Sequence, residues 1–220
     1  MGLARNLERR LERFADGISA TVFRGKMHPV DLANRLVRHA DLMVTDEVGG
    51  PGIPNRFSVA VNQKDLDPSL DVGRLAAELS RTLSETAIDR GWRIGGPIDV
   101  DLAVDNSVGK GSIKCEAESA PAPLVAWGTL AEHRGDREFD LGDNRSVVGR
   151  SGNADVQLDE VEISRHHAVI FRQGGNLWIL DLDSANGTNV NGKPLTSEPL
   201  EIGRGDMLTF GPATFTVRVH

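Results

Sequence analysis

The chain has 220 residues, 39% apolar and 26% charged, a balance that excludes a disordered chain and suffices for a sizeable core in one or two domains. Its net charge is −7, with 16 basic against 18 acidic residues up to position 120 and 9 against 14 beyond it, which excludes the broad basic face of a bulk nucleic-acid binder. No apolar run is long enough for a membrane span, the start MGLARNLERRLERF lacks the apolar core of a secretory leader, and the one cysteine, Cys115, excludes a disulfide framework, so a cytoplasmic location is expected.

Leu3, Leu7, Leu11, Phe14, Ile18 and Val22 recur at spacings of three and four and predict a first helix. Pro29 suits the first turn of a second helix, continued by Val30, Ala33, Leu36, Val37 and Ala40. The stretch GGPGIP at 49–54 reads as a loop. Phe57, Val59 and Val61 alternate as in a strand. Leu75, Leu79, Leu83 and Ala87 return to helical spacing, with Gly91 as a stop. Ile98, Val100, Leu102 and Val104 alternate with Asp99, Asp101, Ala103 and Asp105, a half-buried strand, and Gly109-Lys110-Gly111 predicts a hairpin into a partner strand through Ile113 and Cys115. The order is α-α-β-α-β-β, an α+β domain over residues 1–115.

Residues 116–123 (EAESAPAP) are small, polar and proline-bearing, and read as a short linker. From 124 to 220 the grammar changes. Short runs such as VVGR, AVIF, LWILDL, MLTF and TFTVRV are separated by Gly, Asn, Asp or Pro clusters, which predicts an all-β sandwich or barrel.

Most of the candidate chemistry has a plainer explanation. The aspartates at 99, 101 and 105 are the wet face of a strand rather than a metal site, so no metal or cofactor is expected. The GKGS at 109–112 lacks the glycine five residues before the Gly-Lys pair and the following helix that a phosphate loop needs. Ser146, Ser151 and Ser164 lie in sequence near His166 and His167, but there is no G-x-S-x-G elbow, and no catalytic residue is assigned. A stronger constellation remains: Gly149-Arg150-Ser151 closing one strand, Ile163-Ser164-Arg165-His166-His167 opening another, the turn Ser184-Ala185-Asn186-Gly187-Thr188, and Asn191-Gly192. Loops at one end of a sandwich cluster in space. A guanidinium, a hydroxyl, an amide and turn N–H groups together suit a bound phosphate.

The pattern GRS…SRHH…SANGT…VNG, followed by LEIGRGDMLTFG, resembles a forkhead-associated (FHA) domain over about residues 124–220. The resemblance implies a β-sandwich of about eleven strands that recognises phosphothreonine in partner proteins, with no catalysis. It implies that Arg150 clamps the phosphate, that the Ser164 hydroxyl takes another oxygen, that Arg165 adds a phosphate or peptide contact, and that Asn186 bonds the peptide backbone. Gly187 permits the turn, His167 braces the loops, and Gly149, Ser151 and Asn191 support them. Ala185 stands where many relatives carry Ser or Thr, which removes one hydroxyl donor. The first half, with MGLARNLERRLERFADGISATVFRGKMHPVDLANRL and GWRIGGPIDV, resembles the N-terminal domain of actinobacterial FHA proteins of the FhaA type. Together the resemblances imply an adaptor working with threonine-phosphorylated proteins, membrane serine/threonine kinases or their substrates, in cell-wall synthesis and division. They imply recruitment to the inner face of the membrane through partners rather than by insertion. A phosphate-independent structural or oligomerisation module is the competing class.

Overall fold

The computed structural model describes residues 27–68 and 70–220. The helix expected from Leu3 to Val22 lies outside the described residues. The chain divides into two compact units. Among the described residues, the first comprises those through Thr45 with 52–90 and 94–122; the second comprises 46–51, 91–93 and 123–220. No helix among the described residues is long and apolar enough to cross a membrane.

In the first unit, α1 (Pro29–Leu42) begins as its sequence dictates. Pro29 sits in the first turn, where a missing N–H costs nothing, and the ring Nδ1 of His28 accepts the Val30 N–H at 3.3 Å. Leu32, Ala33, Leu36, Val37 and Ala40 form its buried stripe. Helix α2 (Val72–Arg90) is capped by Asp71, which accepts the Arg74 N–H at 3.0 Å. It buries Leu75, Leu79, Leu83 and Ala87, and on its outer side Arg81 pairs with Glu78 and Glu85. Gly91, at φ +67°, follows its last residue.

Strand β3 (Arg56–Val61) is the centre of a three-stranded sheet, parallel to β5 (Asp99–Val104) and antiparallel to β6 (Ile113–Glu118). Phe57, Val59 and Val61 are buried on one face, while Arg56, Ser58, Asp99 and Asp101 are exposed on the other. The expected β5–β6 hairpin does not form; the two strands flank β3 instead. A parallel β3–β5 pair needs a long crossover, and α2 supplies it on the way to β5. The loop from β5 to β6 is then held by side chains after β3. Asn62 Nδ2 donates to the Val108 carbonyl at 2.8 Å, and Asp65 accepts the Gly111 N–H at 2.7 Å. Strand β6 runs to Glu118, so the first residues of the segment read as linker are paired with β3.

In the second unit, the strands are β7 (Gly128–Glu132), β8 (Glu138–Leu141), β9 (Arg145–Gly149), β10 (Val156–Gln157), β11 (Ala168–Gln173), β12 (Asn176–Asp181), β13 (Thr188–Val190), β14 (Lys193–Pro194), β15 (Leu200–Ile202), β16 (Met207–Phe210) and β17 (Ala213–Val219). They make a five-stranded sheet, β10-β9-β11-β12-β15, and a six-stranded sheet, β14-β13-β16-β17-β7-β8. These eleven strands make the sandwich of about eleven strands that the FHA resemblance implies. Leu130, Val148, Ile170, Leu208, Phe210 and Phe215 fill the space between the sheets.

Strand β9 is buried at every residue, on both faces. Its outer face carries Val147, which clusters with Val169 and Phe171 of β11, and Trp178 is only partly buried against them. Residues 46–51 and 91–93 belong to this unit and lie in or beside three short strands, β1 (Thr45–Glu47), β2 (Gly50–Ile53) and β4 (Arg93–Ile94). The glycines at 49–50 do turn the chain, at φ +93° and +118°, but it straightens at once into β2, so GGPGIP is not wholly loop. Gly49 approaches so closely that a Cβ there would lie 2.7 Å from a Val147 methyl.

Arg145, only 7% exposed, opens β9 without a carboxylate partner for its hydrogen bonds among the described residues. Its Nε donates to the Gly49 carbonyl at 2.5 Å, its Nη1 donates to the Gly91 carbonyl at 2.8 Å, and its guanidinium lies 4.1 Å from the centre of the Phe171 ring. Burial pulls its pKa down to about 10, so it remains charged at neutral pH. Arg145→Met keeps the apolar stem but strands two buried carbonyls. It should destabilise the second unit by about 2–4 kcal/mol, read from denaturant unfolding of the full chain.

Candidate functional site

Three loops of the second unit meet beyond the end of β9: 150–155, 158–167 and 182–187. The first two are laced through the main chain. The His167 N–H donates to the Val148 carbonyl at 2.8 Å, the Arg150 N–H to Ser164 at 2.9 Å, and the Ser151 N–H to Arg165 at 3.0 Å. This approach explains Gly149, because a Cβ there would sit 2.2 Å from the Arg165 carbonyl oxygen. Ser151 turns the first loop by accepting the Asn153 N–H on its hydroxyl at 3.3 Å.

The side chains then bring in the third loop. The Ser164 hydroxyl oxygen accepts the Ala185 N–H at 3.0 Å, and Asn186 Nδ2 donates to the Glu162 carbonyl at 2.7 Å. Arg150 is exposed, and its Nε donates to the Ile163 carbonyl at 3.2 Å. That bond orients the guanidinium and leaves both terminal amino groups for a ligand. With one lone pair of Ser164 taken by Ala185, its O–H can serve as a donor toward an anion. The Asn186 amide keeps its oxygen and its second N–H. Arg165 is exposed beside Ser164.

His167 is fully buried behind this surface. Its Nδ1 accepts the Ser164 N–H at 3.1 Å, and its Nε2 lies 3.2 Å from the Gly187 carbonyl. A backbone N–H can only donate and a carbonyl can only accept, so the ring is neutral with its proton on Nε2. Its ring meets Phe210 edge-on at 5.7 Å. Burial lowers its pKa below the usual histidine value. The imidazole therefore braces two loops and is not a base for the Ser164 hydroxyl, which faces Ala185 instead.

The third loop is held by Asp181, which the sequence reading did not single out. It accepts from the Ser184 N–H at 2.8 Å, the Ser184 hydroxyl at 2.7 Å and the Thr188 hydroxyl at 2.6 Å. Burial would raise this carboxyl, but those hydrogen bonds outweigh it and hold the group below its ordinary value. The signal available in sequence is an aspartate three residues before Ser184 and seven before Thr188, close enough for its two oxygens to accept from the turn that follows. Gly187 takes φ +73°, as its turn demands. Asn191 lies elsewhere, in the turn after β13, where it bonds Asp206 at 2.9 Å and accepts the Met207 N–H at 3.0 Å. The structure thus gathers Gly149, Arg150, Ser151, Ser164, Arg165, His167, Ala185, Asn186 and Gly187, and sets Asn191 apart.

Residues 4–116 match the family described as FhaA, N-terminal domain, and residues 146–211 match the FHA domain. This chain belongs to the FhaA family. It is 35% identical over 106 residues to the oxoglutarate dehydrogenase inhibitor of Corynebacterium diphtheriae, covering 47% of this chain and 73% of that protein. It is 31% identical over 84 residues to the FHA domain-containing protein FhaA of Mycobacterium tuberculosis, covering 38% of this chain. The chain spans only 16% of the length of that FhaA. Among solved structures, Mycobacterium tuberculosis EmbR in complex with a low-affinity phosphopeptide is 32% identical, with a TM-score of 0.41, covering 43% of this chain and 24% of that one.

The bracing role of His167 has a direct spectroscopic consequence. Nitrogen NMR should find its ring as the Nε2–H tautomer, staying neutral to a pH below the ordinary histidine midpoint near 6.5. Because its folded pKa is lowered, its contribution to stability is complete above that midpoint and falls away as the pH drops below it.

Proposed function

We propose that this chain is a non-catalytic adaptor whose FHA domain binds threonine-phosphorylated segments of partner proteins in serine/threonine kinase signalling. The observation that carries the reading is the pairing of Arg150 with Ser164 at the loop surface. Each has one face committed to the backbone of a neighbouring loop and the other turned outward. A phosphate adds nearly two negative charges and strong acceptor oxygens. Arg150 meets it with two parallel N–H bonds, Ser164 donates its hydroxyl proton, and Arg165 adds a further contact. The free oxygen and N–H of Asn186 align the main chain of the peptide. The FHA domain match over residues 146–211, which contains Arg150, Ser164, Arg165 and Asn186, supports this assignment. Within the same proposal, the partners are membrane serine/threonine kinases or their substrates met at the cytoplasmic face of the membrane, and the process served is the control of cell-wall synthesis and division.

Calorimetry with matched peptides tests the reading. The phosphothreonine peptide should bind and the plain threonine peptide should not. Arg150→Ala should cost about 2–3 kcal/mol, roughly a hundredfold in affinity, because it removes a charge-assisted pair. Equal binding of both peptides by the native chain, or partner capture that phosphatase leaves unchanged, would instead favour a phosphate-independent module. Ala185→Ser should restore the missing hydroxyl and tighten phosphopeptide binding by about 1 kcal/mol in the same assay.

A further inference from the structure

Loop 150–155, which carries Arg150, is fixed at its start by the main-chain bonds to Ser164 and Arg165. Its far end is Asp155. This carboxylate accepts the Val147 N–H at 2.7 Å, which ties the loop back to β9. The same carboxylate is gripped by Arg93, whose Nη1 and Nη2 each lie 2.7 Å from a different Asp155 oxygen. Arg93 also donates to Asp143 at 3.2 Å and to the Arg145 carbonyl, and its Nε lies 3.5 Å from Glu47. Both members of the central pair are largely buried, at 18% and 19% side-chain exposure. A bidentate pair screened from solvent fixes orientation as well as distance. All of these residues belong to the second unit.

The charges around this pair are ordered by it. Burial would raise the Asp155 carboxyl, but Arg93 and the Val147 N–H hold it below its ordinary value. Asp143 is pushed up to about 6 by burial, despite Arg93, and by the neighbouring Asp155 charge. Arg93 thus selects Asp155 as its principal partner, and Asp155 closes the arginine loop.

We propose that Arg93 is a positioning residue for phosphate recognition: by clamping Asp155 it holds the 150–155 loop in the form that presents Arg150. The inference rests on the reading of Arg150 as the phosphate clamp. It gives residues 91–93 a task in binding although they lie more than fifty residues before the loop in sequence and outside the FHA match. Without the clamp the far end of the loop is held only by the Val147 N–H and the short β9–β10 pairing, so the loop samples more orientations and the guanidinium has to be reordered when ligand arrives.

Two measurements on the full chain test it, using Arg93→Met and Arg93→Lys. The first is hydrogen exchange of the Ser151, Asn153 and Ala154 amides without ligand, with the β11 amides as the internal reference. The second is calorimetry with a phosphothreonine peptide and its plain counterpart. Arg93→Met should speed exchange in the loop while leaving β11 protected, and should weaken phosphopeptide binding about tenfold. Arg93→Lys retains the charge but cannot span both carboxylate oxygens, so it should fall between native and Met in both measurements, which general loss of structure would not produce. Native affinity in Arg93→Met overturns the proposal whatever the exchange shows. If that variant does not fold, native affinity in Arg93→Lys overturns it. If the native chain fails to separate the two peptides, the phosphothreonine reading falls, and the exchange data still decide whether Arg93 orders the loop.

Discussion

Burial of β9 on both faces is the constraint on which the second unit is built. One face of the strand enters the sandwich core through Val148, and the other lies under chain from positions 46–51. Arg145 stands at its first position and Arg150 directly follows its last. The two arginines show how placement decides what a guanidinium does. Arg145 is enclosed, with its Nε and Nη1 on carbonyls and its guanidinium over a ring; Arg150 is exposed and, among the described residues, has only its Nε so occupied. The same side chain serves as a structural rivet at one end of the strand and, in the proposed function, as an anion receptor at the other.

The receptor end is made of backbone more than of side chains. Two main-chain bonds join its first two loops, and the side chains of Arg150, His167, Ser164 and Asn186 each bond a main-chain group of another loop. Such bonds leave few torsions to freeze when ligand arrives, so little of the binding energy is lost to ordering. They also explain how an acidic chain can offer an anion site. Local donors fixed in direction act at contact distance, where the overall charge of −7 is screened.

The sequence motifs made the sandwich and most of its loop cluster legible, because turns and phosphate ligands impose residue types at fixed spacing. Gly149 was readable as architectural, and the Arg165 carbonyl shows why no side chain fits there. Strand partners were less legible. Alternation in β5 and β6 reveals two strands but not that β3 lies between them, since pairing over long separations leaves no local period. Arginines at 93 and 145 carried no signal either, because composition treats a charged side chain as a wet one. Asn191 has the turn conformation its motif implies, at φ +52°, but serves a different pair of turns.

The discontinuity of the second unit also bears on how it folds. Residues 46–51 and 91–93 precede β9 in the chain and are made first, yet the surfaces they cover, Val147, Val169 and Arg145, are made more than fifty residues later. Closing such long loops is entropically slow, and contacts of this span raise the order in which pieces must find each other. The domain seen by its motif is contiguous, whereas the domain that folds is assembled from three separate stretches. Its completion must therefore wait until β17 has been made.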